Sequence, residues 1–319
     1  MKKWLLIGWF IGLLLIIFLI ISQGIDEIQG VVQDVGGQIF WLAGFYLIPL
    51  LCAALSWFYL FPPRQKPPFL LVMQTTWIGL AINWLLPVAQ VGGEIVRTRL
   101  LIKRGYPFRT TAASTLGDQT LQIATQALYA LLGLGLFLFH WQDLQLILAI
   151  IGGVFYLSLL GFIFYRVQKA GLFKAIASLS KRILPLSRQE NLAETANQVD
   201  LAVKQMYGRT PQLALAFAWR LGFRLVSAGE VWLTMNWLEH PVSLWEALIL
   251  ESLGQAVRSA AFLIPGGLGA QEGGLMLIGT ALGVPSSISL SLSLCKRFRE
   301  LILGIPGLIA WQIQARINQ

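Results

Sequence analysis

Two glutamates stand beside broken backbone in otherwise apolar sequence. "WLLPVAQVGGEIVRTRLLIKRGYP" begins at Trp84 and places Glu94 behind Pro87, Gly92 and Gly93. "FLIPGGLGAQEGGLMLIGTALGVP" begins at Phe262 and places Glu272 behind Pro265, Gly266, Gly267 and Gly269. Cations occupy comparable surroundings. The stretch "CKRFRELILG" carries Lys296, Arg297, Arg299 and Glu300 well inside an apolar run. At about 100° per residue they cover an arc of about 160° on a helix. Arg220, Arg224 and Ser227 share one helical face, Asp118, Gln122 and Gln126 share another, and Arg97 follows Glu94 at i+3.

An ionised side chain at the centre of a spanning helix costs about 2.5–3.5 kcal/mol on insertion scales, so such groups face a cavity or one another. Two chemistries fit. The charges can be structural ion pairs that hold a bundle together, with Lys296 and Glu300 well spaced for one. Alternatively they line a polar groove visited by an anionic group or a polar lipid headgroup. The cations near the last apolar run exceed the partners expected for them, and Glu230, Glu246, Glu251 and Arg258 add to the intramembrane count.

Other chemistries find little support. The two histidines, His140 and His240, fall in short loops, so no metal site and no histidine-based catalytic site is expected. "GGLGAQEGG" superficially resembles a dinucleotide fingerprint but follows an apolar helix pattern instead of a strand. No Walker-type phosphate loop occurs, and no cofactor or catalytic residue is assigned. Cys52 and Cys295 sit inside apolar runs and read as small core residues.

The elements that must carry these groups belong in a bilayer. Of 319 residues, 56% are hydrophobic and 12% charged, whereas soluble chains carry about 25% charged residues. The net charge of +9 is therefore read as membrane orientation and not as a nucleic-acid partner. Full spans are expected at residues 4–21, 40–61, 111–139, 146–165, 211–237 and 286–311. The first resembles a signal peptide, but its apolar core is too long and no small-x-small cleavage site follows.

Two further apolar pieces, 69–86 and 242–264, each end at a proline followed by glycines and a glutamate. If 69–86 crossed fully, Arg97, Arg99, Lys103, Arg104 and Arg109 would lie outside, against the positive-inside rule. If it dips in and returns, all of them are cytoplasmic, and the outer loops hold no Lys or Arg. The expected fold class is thus an all-α polytopic membrane protein. It has about six full spans plus two re-entrant Pro/Gly-broken hairpins in an inverted repeat, and both termini are cytoplasmic. Residues 1–319 form one integral membrane domain, with repeat 1 at about 69–139 and repeat 2 at about 242–311. The loop at about 166–209 is expected to hold two amphipathic helices separated at Pro185, lying on an anionic leaflet or packed on the bundle.

The repeat is legible at a constant offset. Pro87 falls on Pro265, Glu94 on Glu272, Gly105 on Gly283 and Pro107 on Pro285, 178 residues apart in each case. Asp118 then stands opposite Lys296 and Gln122 opposite Glu300. Inverted repeats with broken helices are common in secondary transporters, where the breaks free backbone groups for a ligand near the midplane.

"PVAQVGGEIVRTRLL", "LIPGGLGAQEGG" and the R-x-R-E segment of the last run resemble the transmembrane domain of lysylphosphatidylglycerol synthase/flippase proteins, over most of the chain. "FLIPGGLGAQEGGLMLIG" with "SLCKRFRELILGIPGLIAWQ" is most similar to the branch called hopanoid-biosynthesis-associated membrane protein. The resemblance implies a bacterial cytoplasmic-membrane (inner-membrane) protein, not an enzyme, that moves or helps to place lipid. The larger members carry a soluble aminoacyltransferase domain that this sequence lacks, so only the translocation half is expected. By motif match Glu94, Arg97, Glu272, Arg297 and Glu300 correspond to the family's characteristic positions. Where many members have an arginine near the middle of the first-repeat helix, this sequence has "GDQTLQ" around Asp118. The expected partner is a membrane lipid, hopanoid or phospholipid, with headgroup contacts from those residues together with Asp118, Arg220, Arg224, Lys296 and Arg299. Lipid-biosynthesis enzymes are further candidate partners. The alternative is a non-transporting accessory or scaffold protein of hopanoid lipid biosynthesis or trafficking.

Overall fold

The computed structural model describes residues 35–86, 91–140, 186–260 and 269–317, with isolated positions between 148 and 166. Among these, regular structure is entirely helical. Helices α1 (Gln38–Phe45) and α2 (Leu47–Leu60) form one apolar stretch interrupted at Tyr46. Pro49 accounts for the interruption, because it has no N–H to donate to the carbonyl of Phe45. After a 3₁₀ turn at Pro63–Gln65 come α3 (Phe69–Leu85), α4 (Gly92–Lys103) and α5 (Phe108–His140). Then follow α6 (Leu186–Tyr207), α7 (Thr210–Trp237), α8 (Leu244–Ala260), α9 (Ala270–Ala281) and α10 (Ser286–Ile317).

The stretches Gln38–Leu60 and Phe108–Phe139 are long and apolar enough to cross a membrane. Helices α7 and α10 have the length, at 28 and 32 residues, but carry their charges mid-helix. Helices α4 and α9 have 12 residues each, about 18 Å at 1.5 Å per residue, against about 30 Å of hydrocarbon. Residues 4–21, most of 146–165, the segment before Pro185, and Pro87, Pro265, Gly266 and Gly267 lie outside the described residues.

The two hairpin units match element by element. Helix α4 starts at 92 and α9 at 270, they end at 103 and 281, and α5 and α10 start at 108 and 286; each pair is 178 apart. The turns between them match as well. Gly105 and Gly283 have φ of 89° and 80°, the left-handed conformation that glycine adopts without a Cβ penalty. In both turns the next residue closes a six-to-one bond: Tyr106 N–H donates to Leu101 C=O at 3.2 Å, and Val284 N–H to Gly279 C=O at 2.8 Å. This is the Schellman arrangement, which satisfies carbonyls the helix end leaves free.

Each hairpin packs on the other unit's long helix: α3 lies against α10 and α8 against α5. Gly304 and Gly307 flank Pro306 and admit α3, since a Cβ on them would meet Leu85 at 2.7 Å and Ala81 at 2.6 Å. Leu85 meets the earlier glycine and Ala81 the later one, so the two helices run antiparallel.

Gly92 and Gly93 are the first two residues of α4 and not part of the break, a correction to their expected role. Gly93 serves a close approach instead. A Cβ there would sit 2.0 Å from the Gly79 carbonyl oxygen, and its N–H donates to Asn83 Oδ1 at 2.8 Å. Gly269, with φ 76°, does belong to a turn, as the residue preceding α9.

The largest core cluster joins α5, α7, α8, α9 and α10 through Phe137, Met235, Leu253, Leu275 and Cys295. Cys52 is buried separately on α2. Helix α6 takes the packed alternative. Its stripe Val199, Val203 and Met206 is buried against Ala112, Ala113 and Leu121 of α5 and Leu60 of α2, at roughly 1.5–3 kcal/mol per large side chain removed from water.

Candidate functional site

The first charge cluster lies where α2, α4, α5 and α7 meet. Asp118, fully buried on α5, accepts from Arg97 Nη2 at 2.7 Å, from Arg220 Nη2, and from Ser56 Oγ at 3.2 Å. Arg97 also pairs with Glu94 one turn before it and stacks over the Trp57 ring at 4.2 Å. Helix periodicity carries Arg97 and Glu94 to one face of α4, and the Schellman turn folds α4 back along α5 so that this face meets Asp118.

The second cluster lies between α8, α9 and α10. Arg258 Nη1 donates to Glu300 Oε1 at 2.7 Å and to Gln271 Oε1 at 2.8 Å. Arg297 pairs with Glu300 at 3.1 Å and with Glu272 at 3.3 Å. Glu272 also accepts the Gly269 N–H at 2.7 Å, so its carboxylate caps the first turn of α9 where the helix dipole favours negative charge. Glu94 occupies the matching third position of α4.

Two more pairs complete the set, one inside the second unit and one joining it to α7. Lys296 pairs with Glu251 of α8. Arg299 donates to Glu230 of α7 at 3.0 Å and sits over the rings of Tyr46 at 3.7 Å and Trp84 at 5.1 Å.

Two expectations are corrected here. Lys296 and Glu300 do not pair: one helical turn apart, they face different neighbours, and Glu251 and Arg258 on α8 capture them separately. Nor are the cations of the last helix in excess, because Glu230, Glu251 and Glu272 arrive from three other helices. Glu230, Glu251 and Arg258 are visible in the sequence as intramembrane charges, but their partners are 42 to 69 residues away.

The excess falls elsewhere. Six carboxylates (Glu94, Asp118, Glu230, Glu251, Glu272, Glu300) face seven cations (Arg97, Arg220, Arg224, Arg258, Lys296, Arg297, Arg299), and Arg224 is the one with no carboxylate partner among the described residues. Arg224 is 5% exposed. Its Nη2 reaches the Gln122 carbonyl at a long 3.4 Å, and its Nε has no acceptor. On α5, one and two turns beyond Gln122, both amide atoms of Gln126 and the Tyr129 hydroxyl are buried without partners among the described residues. Buried polar groups left unpaired are rare and call for an explanation.

Among the described residues, fold and site together define an all-helical membrane domain made of two hairpin-and-long-helix units, with charges buried within each unit and against α7. The chain belongs to the lysylphosphatidylglycerol synthase TM region family, whose model matches residues 5–307. No curated protein and no solved structure matches the chain significantly.

Proposed function

We propose that this protein is a flippase-like lipid translocase of the bacterial cytoplasmic membrane, in which a polar or anionic headgroup docks beside Arg224 while the apolar body stays in lipid. The observation that carries this reading is the unpaired guanidinium. An uncompensated buried charge costs several kcal/mol, and a phosphate or carboxylate would satisfy it with charge-assisted, bidentate hydrogen bonds. The free amide of Gln126 and the hydroxyl of Tyr129 offer further donors on the adjoining face of α5.

Membership of a lipid-handling membrane family supports the substrate class. The antiparallel contact of α3 with α10 supports an inverted pair of units, the usual frame for alternating access. In this reading Glu94, Arg97, Asp118, Arg220, Glu272, Lys296, Arg297, Arg299 and Glu300 form the walls of the path, exchanging partners as the headgroup passes. Hopanoids are the first lipids to test, given the sequence similarity to the hopanoid-associated branch, and the reading assigns no bond-making step to the chain.

The accessory reading draws on one observation, that every carboxylate of the two clusters already has a cation. One experiment separates the two. In liposomes of neutral lipid carrying a trace of fluorescent anionic phospholipid, dithionite quenching reports movement between leaflets. Translocation predicts faster movement with wild type, at least a ten-fold loss for Arg224→Gln, and partial rescue by Arg224→Lys. No acceleration by wild type, together with a biosynthetic enzyme that co-purifies, sinks the translocase reading in favour of the accessory one.

A further inference from the structure

A cavity of about 570 Å³ opens at the end of the bundle that the lysine and arginine distribution assigns to the cytoplasm. It lies between the turn after α2, the start of α5, the second half of α6 and the start of α7, away from both charge clusters. Three arginines line it, Arg64, Arg109 and Arg209, and no aspartate or glutamate does. None of the three has an ion pair among the described residues.

Arg209 is built into the wall. Its Nη2 donates to the Leu60 carbonyl at 2.7 Å, which fixes the guanidinium, while its Nη1 is buried without a partner among the described residues. Burial holds Arg209 below the usual guanidinium range; burial and then the Arg209 charge lower Lys66, which stands outside the cavity wall. The three guanidiniums of the lining face no carboxylate among the described residues. Neutral polar groups complete the lining: Gln205, Ser114, whose hydroxyl donates to the Thr111 carbonyl at 3.0 Å, and Thr110, whose hydroxyl donates to Gln65 Oε1. Leu60, Ala113 and Met206 are among the apolar residues of the lining.

We infer that this cavity binds a phosphate group carried on an apolar or glyceryl body, at a site separate from Arg224. Clustered guanidiniums with no acid among them fit phosphate, which accepts several charge-assisted hydrogen bonds at once. The volume falls within the usual 300–1,000 Å³ of ligand sites, large for a bare phosphate and suited to a phosphorylated headgroup with its glycerol. The inference does not depend on the transport reading, because a site can hold a lipid that never moves.

The test uses the full chain in nanodiscs of phosphatidylcholine, with native mass spectrometry as readout. Phosphatidylglycerol and glycerol phosphate are titrated separately. The wild type is compared with Arg64→Gln/Arg109→Gln, two side chains exposed at the mouth, and with Arg104→Gln, exposed outside the cavity as a control for bulk charge. The expected result is specific retention of phosphatidylglycerol, at least ten-fold weaker in the double variant and unchanged in Arg104→Gln. Saturable binding of glycerol phosphate with the same dependence would also support the site and name a soluble source for the phosphate. Equal retention of both probes by wild type and double variant overturns the inference, as does an equal loss in Arg104→Gln. The readout is binding alone, so a protein that translocates nothing still passes or fails this test.

Discussion

Asp118 and Lys296 occupy matching positions of α5 and α10, 178 residues apart, and carry opposite charges. Asp118 is held by Arg97 and Arg220, Lys296 by Glu251. The duplicated backbone thus repeats its turns and hairpins while the charges are inverted and closed by different helices. Backbone geometry is demanded of both units by the same hairpin, whereas a buried charge needs only some partner of opposite sign.

Removing the acid at that position should strand Arg220 and leave Arg97 to Glu94 alone. Asp118→Asn is expected to destabilise the protein by about 3–5 kcal/mol, since breaking a buried pair leaves an uncompensated charge. Adding Arg220→Gln should recover part of that loss, with a coupling of roughly 0.5–3 kcal/mol. Denaturant titration in detergent, followed by tryptophan fluorescence, measures all three proteins. Strictly additive losses would show that the two side chains act independently.

Glu272→Gln separates charge from capping. The amide oxygen can still accept the Gly269 N–H, and Arg297 keeps Glu300, so the protein should fold and express as wild type. Lipid movement in the liposome assay should fall, because the second hairpin loses the negative charge facing Arg297. Equal falls in expression and in transport would mean that Glu272 is structural.

The glycines divide by what lies beside them. Gly93→Ala drives a methyl to 2.0 Å from the Gly79 carbonyl oxygen, and overpacking of this kind costs about 1–3 kcal/mol. Gly273→Ala, on α9, meets nothing within 4 Å and should be neutral or stabilising by up to about 1 kcal/mol. Melting temperatures of the two variants in one detergent test the contrast, and similar shifts would refute the close α3–α4 contact.

Glu239 holds φ 54° where α7 ends, as the His240 N–H returns to the Met235 carbonyl at 3.1 Å. This is a left-handed helix end occupied by a side chain that disfavours it. Glu239→Gly is expected to stabilise by about 0.5–1 kcal/mol. A lowered melting temperature would mean that the exposed glutamate makes a contact outweighing its backbone strain.

The sequence alone determined the local features. Length and hydropathy marked the α1–α2 stretch, α3, α5 and α7 to within three residues, and the start of α10, which runs on to Ile317 past the expected end at 311, because a helix satisfies its backbone within itself and shows its period in the chain. The offset of 178 marked both turns, because only glycine takes the left-handed position at Gly105 and Gly283 without cost.

Tertiary structure decided the partners. Lys296 chose Glu251 over Glu300, and Arg299 chose Glu230, through helices brought together from distant parts of the chain. Helical spacing says which face a charge occupies but not which helix that face meets, and desolvation makes the choice decisive. The same packing left Arg224 without an acid and gathered Arg64, Arg109 and Arg209 around one cavity. Neither fact is a property of any segment read by itself.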